Sequence, residues 1–480
     1  MSTRILWGGA VAASQYEGSG RGRRGLDSQD CRPYLPRTST ATTETRLLTA
    51  DALREATSGT SDRYYPFRQG VRGAEHWDED LELITELGLD VFRLSLSWVR
   101  LFPTGFEEEP DPDGVAFYDE VIRSLHDRRI RVFVTLNHYA IPVEIINRYG
   151  GWKDRRTIDL YVRMAEFAVE RWGDLVDYWL PINEINAGYF SPYNGLGLLR
   201  SPDGEYDYSD VFNGLHYQMV ASARITEFGH RLGVPGRFVA MVSCFCYYAL
   251  TPTPEDNSKL VHDEQINQWY CMDVLARGEY GYYVEPFLEA HGATLDVTPE
   301  DRKVLRENTC DVVSFSYYSS SICSESETHV QTPGNLVATI RNPELKATEW
   351  GWQIDPVGLR TTLHKVYDRY GKPVMVAENG LGARDVISPD GRVHDDYRVE
   401  YMSSHFTQAE RAREEGVDVE AYLVWGVIDI VSAGSCEMDK RYGVVHVDAG
   451  NEGEGSFRRL RKDSFFWLKE FVSTQRGERS

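Results

Sequence analysis

Eight short apolar runs recur along the 480-residue chain, spaced so that a helix fits after most of them. Most runs are continuous stretches of apolar or β-branched residues, which is typical of parallel strands covered on both faces. A count of eight is the number that closes a parallel sheet into a barrel. We predict strands over residues 5–12, 91–98, 131–137, 178–183, 238–245, 311–318, 373–379 and 419–426.

Segments with helical periodicity lie between several of these runs. Strand alternating with helix predicts right-handed βαβ units, and eight such units form a (β/α)8 TIM barrel, an α/β fold. A doubly wound open sheet is the alternative, but no G-x-G-x-x-G motif follows the first run and opens a helix. We found no interdomain linker or internal repeat, so we predict a single barrel domain over residues 1–480. The predicted helices include residues 76–87, 116–128, 157–172, 215–232 and 397–415.

Residues 18–72 form the longest interruption, between the first strand and the first helix, and are rich in Ser, Thr, Gly and Arg. In a barrel this atypical insertion belongs to the long loops on the C-terminal face. Two interpretations remain open. The segment is either an active-site loop or a partly disordered surface insertion.

The formal charge of −22 argues against a nucleic-acid or anionic-membrane partner, because such a surface repels phosphate groups. An anionic substrate would need a local cluster of hydrogen-bond donors. No window approaches 18 continuous apolar residues and no secretory signal is evident, so a cytoplasmic location is expected. The seven cysteines include no zinc-type spacing, which indicates buried free thiols in a reducing compartment. Nothing in the sequence indicates the oligomeric state.

Two glutamates stand at the ends of predicted strands four and seven, on opposite sides of a barrel of eight. Glu184 and Glu378 each follow an apolar run directly, so each is expected to be partly desolvated yet open to the top of the barrel. Glycoside hydrolysis requires such a pair, with one carboxylic acid to protonate the leaving oxygen and one carboxylate to attack the anomeric carbon. Either glutamate alone could instead form a structural ion pair.

Other polar residues lie at neighbouring strand ends. Arg93 on strand two needs a carboxylate partner if it points inward, and Glu378 is the candidate. His138 could be a core histidine or a binding residue. We expect no metal site, because no second His or Cys stands at ligand spacing.

These motifs together resemble glycoside hydrolase family 1. The likeness runs from LWGGAVAASQYEG near the start to KRYG and FFWLKEF near the end, except over roughly residues 18 to 64. PINEI resembles the family's acid/base motif and AENG its nucleophile motif. The resemblance implies that Glu184 is the acid/base and Glu378 the nucleophile, with no metal and no organic cofactor.

The resemblance also implies a set of sugar-binding residues. Gln15, His138 and Asn183 would hold sugar hydroxyls. Tyr318 and Arg93 would contact the nucleophile. Trp425 would form the floor of the sugar site and Trp352 would line the leaving-group site.

The segment WGVIDIVSAGSCEMDKRYG departs from the common β-glucosidase pattern, which has a Glu and then a Trp where Ser432 and Ala433 stand. With Lys440 and Tyr442, Ser432 resembles the phosphate-binding motif of 6-phospho-β-glucosidases. The chemistry agrees, because a Glu would repel a phosphate dianion whereas a hydroxyl, an ammonium and a phenol donate to it. Ser316, where many relatives have Asn, also resembles the phospho branch.

Three functions therefore remain open. The first is hydrolysis of a 6-phospho-β-glucoside, with the small Ala433 favouring gluco over galacto sugars. The second is hydrolysis of neutral β-glucosides, in which case Lys440 and Tyr442 belong to an ordinary surface loop. The third is a barrel that binds sugar or a protein partner without cleaving, against which the presence of both Glu184 and Glu378 speaks.

Overall fold

A computed structural model describes residues 4–36, 48–201, 203–326, 328–336 and 338–477. Eight parallel strands close into a barrel in the order β1-β8-β7-β6-β5-β4-β3-β2. Their number and direction confirm the predicted (β/α)8 fold. The strands are β1 Leu6–Ala10, β2 Val91–Ser95, β3 Arg131–Asn137, β4 Tyr178–Ile182, β5 Arg237–Ala249, β6 Val312–Cys323, β7 Val374–Asn379 and β8 Val419–Trp425.

The register of β1 brings the carboxyl ends of the first, second and eighth strands together. Ala10 lies opposite Trp425 on one side and Arg93 on the other. β2 ends at Ser95, earlier than predicted, because a short helix begins at Trp98. β5 and β6 run further than predicted, since they continue to pair with each other as far as Ala249 and Cys323.

The helices surround the barrel and fill the connections between its strands. They cover Ala13–Tyr16, Ala50–Thr57, Pro66–Gln69, Trp77–Leu87, Trp98–Leu101, Pro112–Asp127, Val143–Tyr149, Thr157–Trp172, Ala187–Phe190, Pro192–Leu196, Tyr208–Leu232, Pro254–Glu264, Tyr270–Arg277, Val284–Ala290, Pro299–Glu307, Pro356–Tyr370, Asp396–Glu414 and Asp463–Gln475. Short 3-10 helices cover Gln29–Cys31 and Gly151–Lys153, and Gln265–Trp269 forms a π-helix. Two-stranded antiparallel pairs join Gln331–Thr332 to Thr339–Ile340 and Val445–Val447 to Arg459–Arg461.

All five predicted helices are present, and two begin several residues earlier than periodicity indicated. Asp111 accepts hydrogen bonds from the backbone N–H groups of Asp113 and Gly114 and so caps Pro112–Asp127. Asp207 caps Tyr208–Leu232 in the same way. Capping satisfies N–H groups that lack a partner in the first turn, so the helices extend back to the cap.

The described parts of the insertion are packed against the barrel. Leu53 and Phe67 from its two helices are buried in the hydrophobic core, and Arg32 is fully buried. This supports an active-site loop for residues 18–36 and 48–72. Residues 37–47 of the insertion lie outside the described residues.

All seven cysteines are buried and unbridged, as predicted for free thiols. Cys244 and Cys246 both belong to β5, where an irregularity in the pairing with β6 falls between them. Among the described residues, no helix combines the length and the apolar character needed to span a membrane.

Candidate active site

Glu378 lies near the end of β7 and is held by two donors. Arg93 Nη1 donates to its Oε1 at 2.7 Å, and the Tyr318 hydroxyl donates to its Oε2 at 2.9 Å. All three side chains are buried. The predicted pairing of Arg93 with Glu378 is confirmed, and it compensates two charges that would otherwise be costly inside the barrel.

Arg93 also connects Glu378 to the neighbouring strands. Its Nε donates to Thr135 Oγ1 at 2.8 Å on β3, and its Nη2 donates to Asn183 Oδ1 at 2.5 Å at the end of β4. Nη1 makes a further bond to the Ala377 carbonyl at 3.2 Å. Because the guanidinium is planar and its donors are fixed in direction, these bonds set the position of the Glu378 carboxylate.

Glu184 follows β4 and adopts a φ of +36°. A non-glycine residue in this region costs about 1–3 kcal/mol, a strain typical of functional sites. Ser316 on β6 and Tyr139 after β3 donate hydrogen bonds to the two Glu184 oxygens. Neither donor was predicted from the sequence, although Tyr139 directly follows His138 and Ser316 is a residue that resembles the phospho branch.

A pocket at the carboxyl ends of the strands contains both glutamates. Its lining contains both predicted site residues and residues that were not predicted from the sequence. It is lined by Arg32, His138, Tyr139, Glu184, Ala187, Asn194, Tyr318, Asn335, Leu336, Trp352, Glu378, Trp425, Ala433, Gly434 and Tyr442. Seven of the twelve predicted site residues are therefore in the lining, while Arg32, Asn194, Asn335 and Leu336 come from segments without a recognisable motif.

Aromatic and amide groups surround the space between the glutamates. The His138 ring stacks on Trp425 with centroids 5.4 Å apart, and its Nε2 lies 3.2 Å from Asn183 Nδ2. Gln15 donates through Nε2 to the Val431 carbonyl at 2.7 Å. Within the described residues, Gln15 Oε1 and His138 Nδ1 are buried without a hydrogen-bond partner, although most buried polar atoms in proteins have one.

Lys440 lies behind one wall of this pocket, surrounded by aromatic rings. Its Nζ is 3.4 Å from the centroid of the Trp352 ring and 5.6 Å from those of Trp350 and Tyr442. Only 3% of Lys440 is exposed. The faces of aromatic rings attract an ammonium group through their quadrupoles.

The remainder of this loop brings Ser432 to the same region. Ser432 is fully buried, accepts a hydrogen bond from Ser435 Oγ at 3.1 Å, and donates through its backbone N–H to the Glu437 carbonyl. The Trp350 indole donates to Glu437 Oε1 at 2.7 Å. Of the predicted set Ser432, Lys440 and Tyr442, only Tyr442 lines the pocket. Ser432 directly precedes the lining residue Ala433, and the Lys440 ammonium lies over the lining residue Trp352.

Residues 1–477 match the family model described as glycosyl hydrolase family 1. The chain belongs to this family. It is 37% identical to the aryl-phospho-β-D-glucosidase BglH of Bacillus subtilis over 472 residues, covering 98% of this chain and 97% of that protein. Its identity to the 6-phospho-β-glucosidase AscB of Escherichia coli is also 37%, with the same coverage.

Solved family 1 structures share the whole architecture. The family 1 β-glucosidase of Thermotoga maritima superposes with a TM-score of 0.81 at 26% identity, and the match covers 99% of this chain and 98% of that one. The chain is thus a family 1 glycoside hydrolase, an enzyme of a family whose general mechanism retains the anomeric configuration.

The two glutamates of this family 1 enzyme differ in their electrostatic surroundings. Burial, and secondly the charge of Glu378, raises the pKa of Glu184 to about 8. Burial also raises the pKa of Glu378, but Arg93 and the Tyr318 hydroxyl act in the opposite direction. Desolvation and the neighbouring negative charge favour a proton on Glu184, whereas the contacts with Arg93 and Tyr318 favour the ionised form of Glu378.

One group of residues away from the pocket brings possible metal ligands together. Asp385, Asp429 and His446 offer ligand atoms within 4.8 Å of one another. The ammonium of Lys462 donates to both carboxylates, at 2.8 Å to Asp429 Oδ1. A protein cation therefore already occupies the position between the two aspartates.

Proposed function

We propose that this family 1 enzyme hydrolyses 6-phospho-β-glucosides by double displacement, with Glu184 as general acid/base and Glu378 as nucleophile. We further propose that residues 1–480 form a single catalytic barrel domain. In the first step Glu184 donates its proton to the glycosidic oxygen while a Glu378 oxygen bonds to the anomeric carbon and the aglycone leaves. In the second step Glu184 accepts a proton from water, whose oxygen displaces Glu378 and restores the β configuration.

The surrounding residues have supporting roles in this mechanism. Arg93 and Tyr318 stabilise the ionised Glu378 through charge-assisted hydrogen bonds. Gln15, His138 and Asn183 bind sugar hydroxyls. Trp425 forms an apolar floor under the sugar ring and Trp352 contacts the leaving group, because aromatic faces suit the apolar faces of sugars.

The observation that carries the phosphate assignment is the position of Lys440. Its ammonium is buried among the rings of Trp350, Trp352 and Tyr442, two of which line the pocket. In a protein with a net charge of −22, a buried ammonium at the sugar site supplies the local attraction that an anionic substrate needs. Ser432 and Tyr442 add hydroxyl donors. The phosphorylated substrates named for the two relatives support the same substrate class.

The substrate specificity predicts a contrast between two aryl substrates. Lys440→Met should lower kcat/KM for a 4-nitrophenyl β-glucoside 6-phosphate roughly tenfold to a hundredfold, because a charge-assisted hydrogen bond contributes about 1.5–3 kcal/mol. The slow turnover of the unphosphorylated glucoside should stay almost unchanged. Ser432→Glu should shift preference toward the neutral glucoside, since it places a negative charge against the phosphate.

The neutral substrate serves as the internal control for folding in each variant. If the wild-type enzyme prefers the unphosphorylated glucoside, the proposed phosphate specificity is wrong and the enzyme is an ordinary β-glucosidase. Equal losses on both substrates in Lys440→Met would mean that Lys440 only stabilises the loop. The corresponding galactoside 6-phosphate tests the gluco preference that the small Ala433 predicts.

The pKa values predict a bell-shaped dependence of kcat/KM on pH. Activity requires Glu378 ionised and Glu184 protonated, so it should rise as pH passes the pKa of Glu378 and fall as pH passes about 8, where Glu184 loses its proton. The measurement is kcat/KM between pH 4 and 10 on a substrate with a poor leaving group. For the Glu184→Ala variant, kcat/KM on an activated aryl substrate should no longer fall at alkaline pH. If the alkaline fall in kcat/KM persists in this variant, a group other than Glu184 causes it.

A further inference from the structure

We propose that Asn379 is a positioning residue, which holds the Glu378 carboxylate in the place from which it attacks the anomeric carbon. This inference rests on the proposed role of Glu378 as nucleophile and adds a residue that acts through it. Asn379 directly follows Glu378, ends β7 and is 2% exposed. It does not belong to the pocket lining, so its effect on the substrate is indirect.

The pairing of β7 with both neighbouring strands is irregular where Glu378 stands. On one side, the register shifts immediately before Ser316 of β6, which lies opposite Glu378. On the other side, the register shifts before Val424 of β8, which lies opposite Asn379. Such irregularities disrupt the ladder of backbone hydrogen bonds, and next to active sites they change the direction of a side chain. Regular backbone pairing therefore does not by itself fix the direction of Glu378.

The carboxamide of Asn379 bridges the elements that flank this irregular point. Its Nδ2 donates to the Tyr317 carbonyl of β6 at 2.6 Å and to the Tyr401 hydroxyl of the helix Asp396–Glu414 at 3.0 Å. Its Oδ1 accepts from the Tyr422 hydroxyl of β8 at 2.5 Å. The residues in this network are all buried, where losing a hydrogen-bond partner is costly, so the network strongly favours one position of the amide.

Two consecutive residues of β6 contact both Asn379 and the nucleophile. The Tyr318 hydroxyl donates to Glu378 Oε2 at 2.9 Å, and the carbonyl of the preceding Tyr317 accepts from Asn379. Successive side chains of a strand point to opposite faces, in agreement with Glu378 lining the pocket and Asn379 contacting Tyr401 on a surrounding helix. β6 and β7 are thus joined on both faces of the barrel wall, and the position of the carboxylate depends on both contacts.

The test compares a reaction that uses Glu378 with one that does not. Asn379→Ala should lower kcat about tenfold to a hundredfold with little change in KM, because a misplacement of about 1 Å can cost roughly a hundredfold in rate. The substrate is whichever 4-nitrophenyl β-glucoside, with or without a 6-phosphate, the wild type hydrolyses faster. The early burst of nitrophenolate should slow by the same factor, since it reports formation of the glycosyl-enzyme.

The second reaction is measured in the Glu378→Ala variant with added azide. Azide attacks the anomeric carbon in place of the carboxylate, forming a C–N bond as the aryl C–O bond breaks and nitrophenolate leaves. A residue that acts by positioning Glu378 has no effect once that side chain is absent. Adding Asn379→Ala to Glu378→Ala should therefore change azide-dependent turnover by a few-fold at most.

Tyrosine variants test the same network with smaller changes. Tyr401→Phe and Tyr422→Phe each remove one hydrogen bond to Asn379 and should lower kcat roughly threefold to tenfold in the presence of Glu378. Tyr178→Phe is the matched control, because it removes a buried hydroxyl that donates to Glu420 at 2.7 Å at the start of β4, away from the pocket. This control should leave kcat nearly unchanged.

The possible outcomes separate this inference from the function on which it depends. If Asn379→Ala lowers turnover equally with and without the Glu378 side chain, Asn379 only stabilises the barrel and the inference is wrong. If Asn379→Ala does not fold, the two tyrosine variants decide, and losses no larger than that of Tyr178→Phe would overturn the inference. If azide gives Glu378→Ala no α-glycosyl azide, Glu378 is not the nucleophile and the proposed mechanism itself fails.

Discussion

Replacement of Glu378 by alanine is expected to lower kcat on aryl glycosides by roughly 10⁴-fold or more, because losing a covalent nucleophile removes a whole reaction path. The change also leaves the charge of Arg93 without the carboxylate that it contacts at 2.7 Å. The measurement is steady-state hydrolysis of an activated aryl substrate, together with thermal unfolding to show that the variant is folded.

Added azide should restore turnover in this variant and reveal the reaction path. Azide fits the space vacated by the carboxylate, so a C–N bond forms at the anomeric carbon as the aryl C–O bond breaks and the phenol departs. One displacement gives the α-glycosyl azide, whereas the wild-type enzyme should release the β sugar first. Proton NMR distinguishes the two, and an α sugar from the wild type would rule out a retaining mechanism.

A second barrel glutamate provides the matched control. Glu420 near the start of β8 is buried, accepts from the Tyr178 hydroxyl at 2.7 Å and pairs with Arg237 at the opposite end of the barrel from the pocket. Glu420→Gln should reduce stability but leave kcat within a few-fold. If Glu420→Gln lost as much activity as Glu378→Ala, the loss would reflect barrel disruption rather than a missing nucleophile.

Replacement of Glu184 should have an effect that depends on the leaving group. General acid catalysis contributes roughly 10²- to 10⁴-fold, so Glu184→Ala should lose about that factor on a phosphorylated disaccharide. An aryl substrate with an acidic phenol needs little protonation, so its first step should be far less affected. Hydrolysis of the glycosyl-enzyme then becomes slow, because no base activates water.

Azide again gives a distinct product in this variant. It needs no base, so it should attack the glycosyl-enzyme formed on Glu378 and release the β-glycosyl azide. Comparison of azide products from the two variants assigns the two carboxylates without reference to motifs. An α-azide from Glu184→Ala would exchange the two roles, and equal losses on both substrate types would indicate that Glu184 is not the acid.

The residues that the sequence located well are those whose positions follow from strand geometry. Parallel strands must end at the same rim of a barrel, so polar residues at the ends of strands two, four and seven had to meet there. Arg93 and Glu378 form the ion pair that an inward charge required. The boundaries of β5 and β6 were less accurate, because their extension depends on pairing with each other above the rim.

The contacts that surround Glu184 and the burial that sets its pKa were not evident in the sequence. Tyr139 follows the third strand and Ser316 lies on the sixth, and both donate to Glu184, although nothing in their local sequence indicates this shared partner. Burial next to Glu378 sets the pKa of Glu184. Such effects depend on distances between side chains, which a linear pattern does not contain.

The sequence by itself determined the barrel and the strand-end positions of the two carboxylates, since local periodicity and residue chemistry are sufficient for these. The set Ser432, Lys440 and Tyr442 was a prediction from the family resemblance. Only the tertiary structure decided that Lys440 is enclosed by Trp350 and Trp352, and that Arg32 enters the pocket. The bond from Arg32 to Ala433 joins residues 401 positions apart. Loop conformations of this kind arise from packing between segments that are distant in the sequence. The hydrophobic contacts and hydrogen bonds that stabilise these conformations form only after the barrel has brought the segments together.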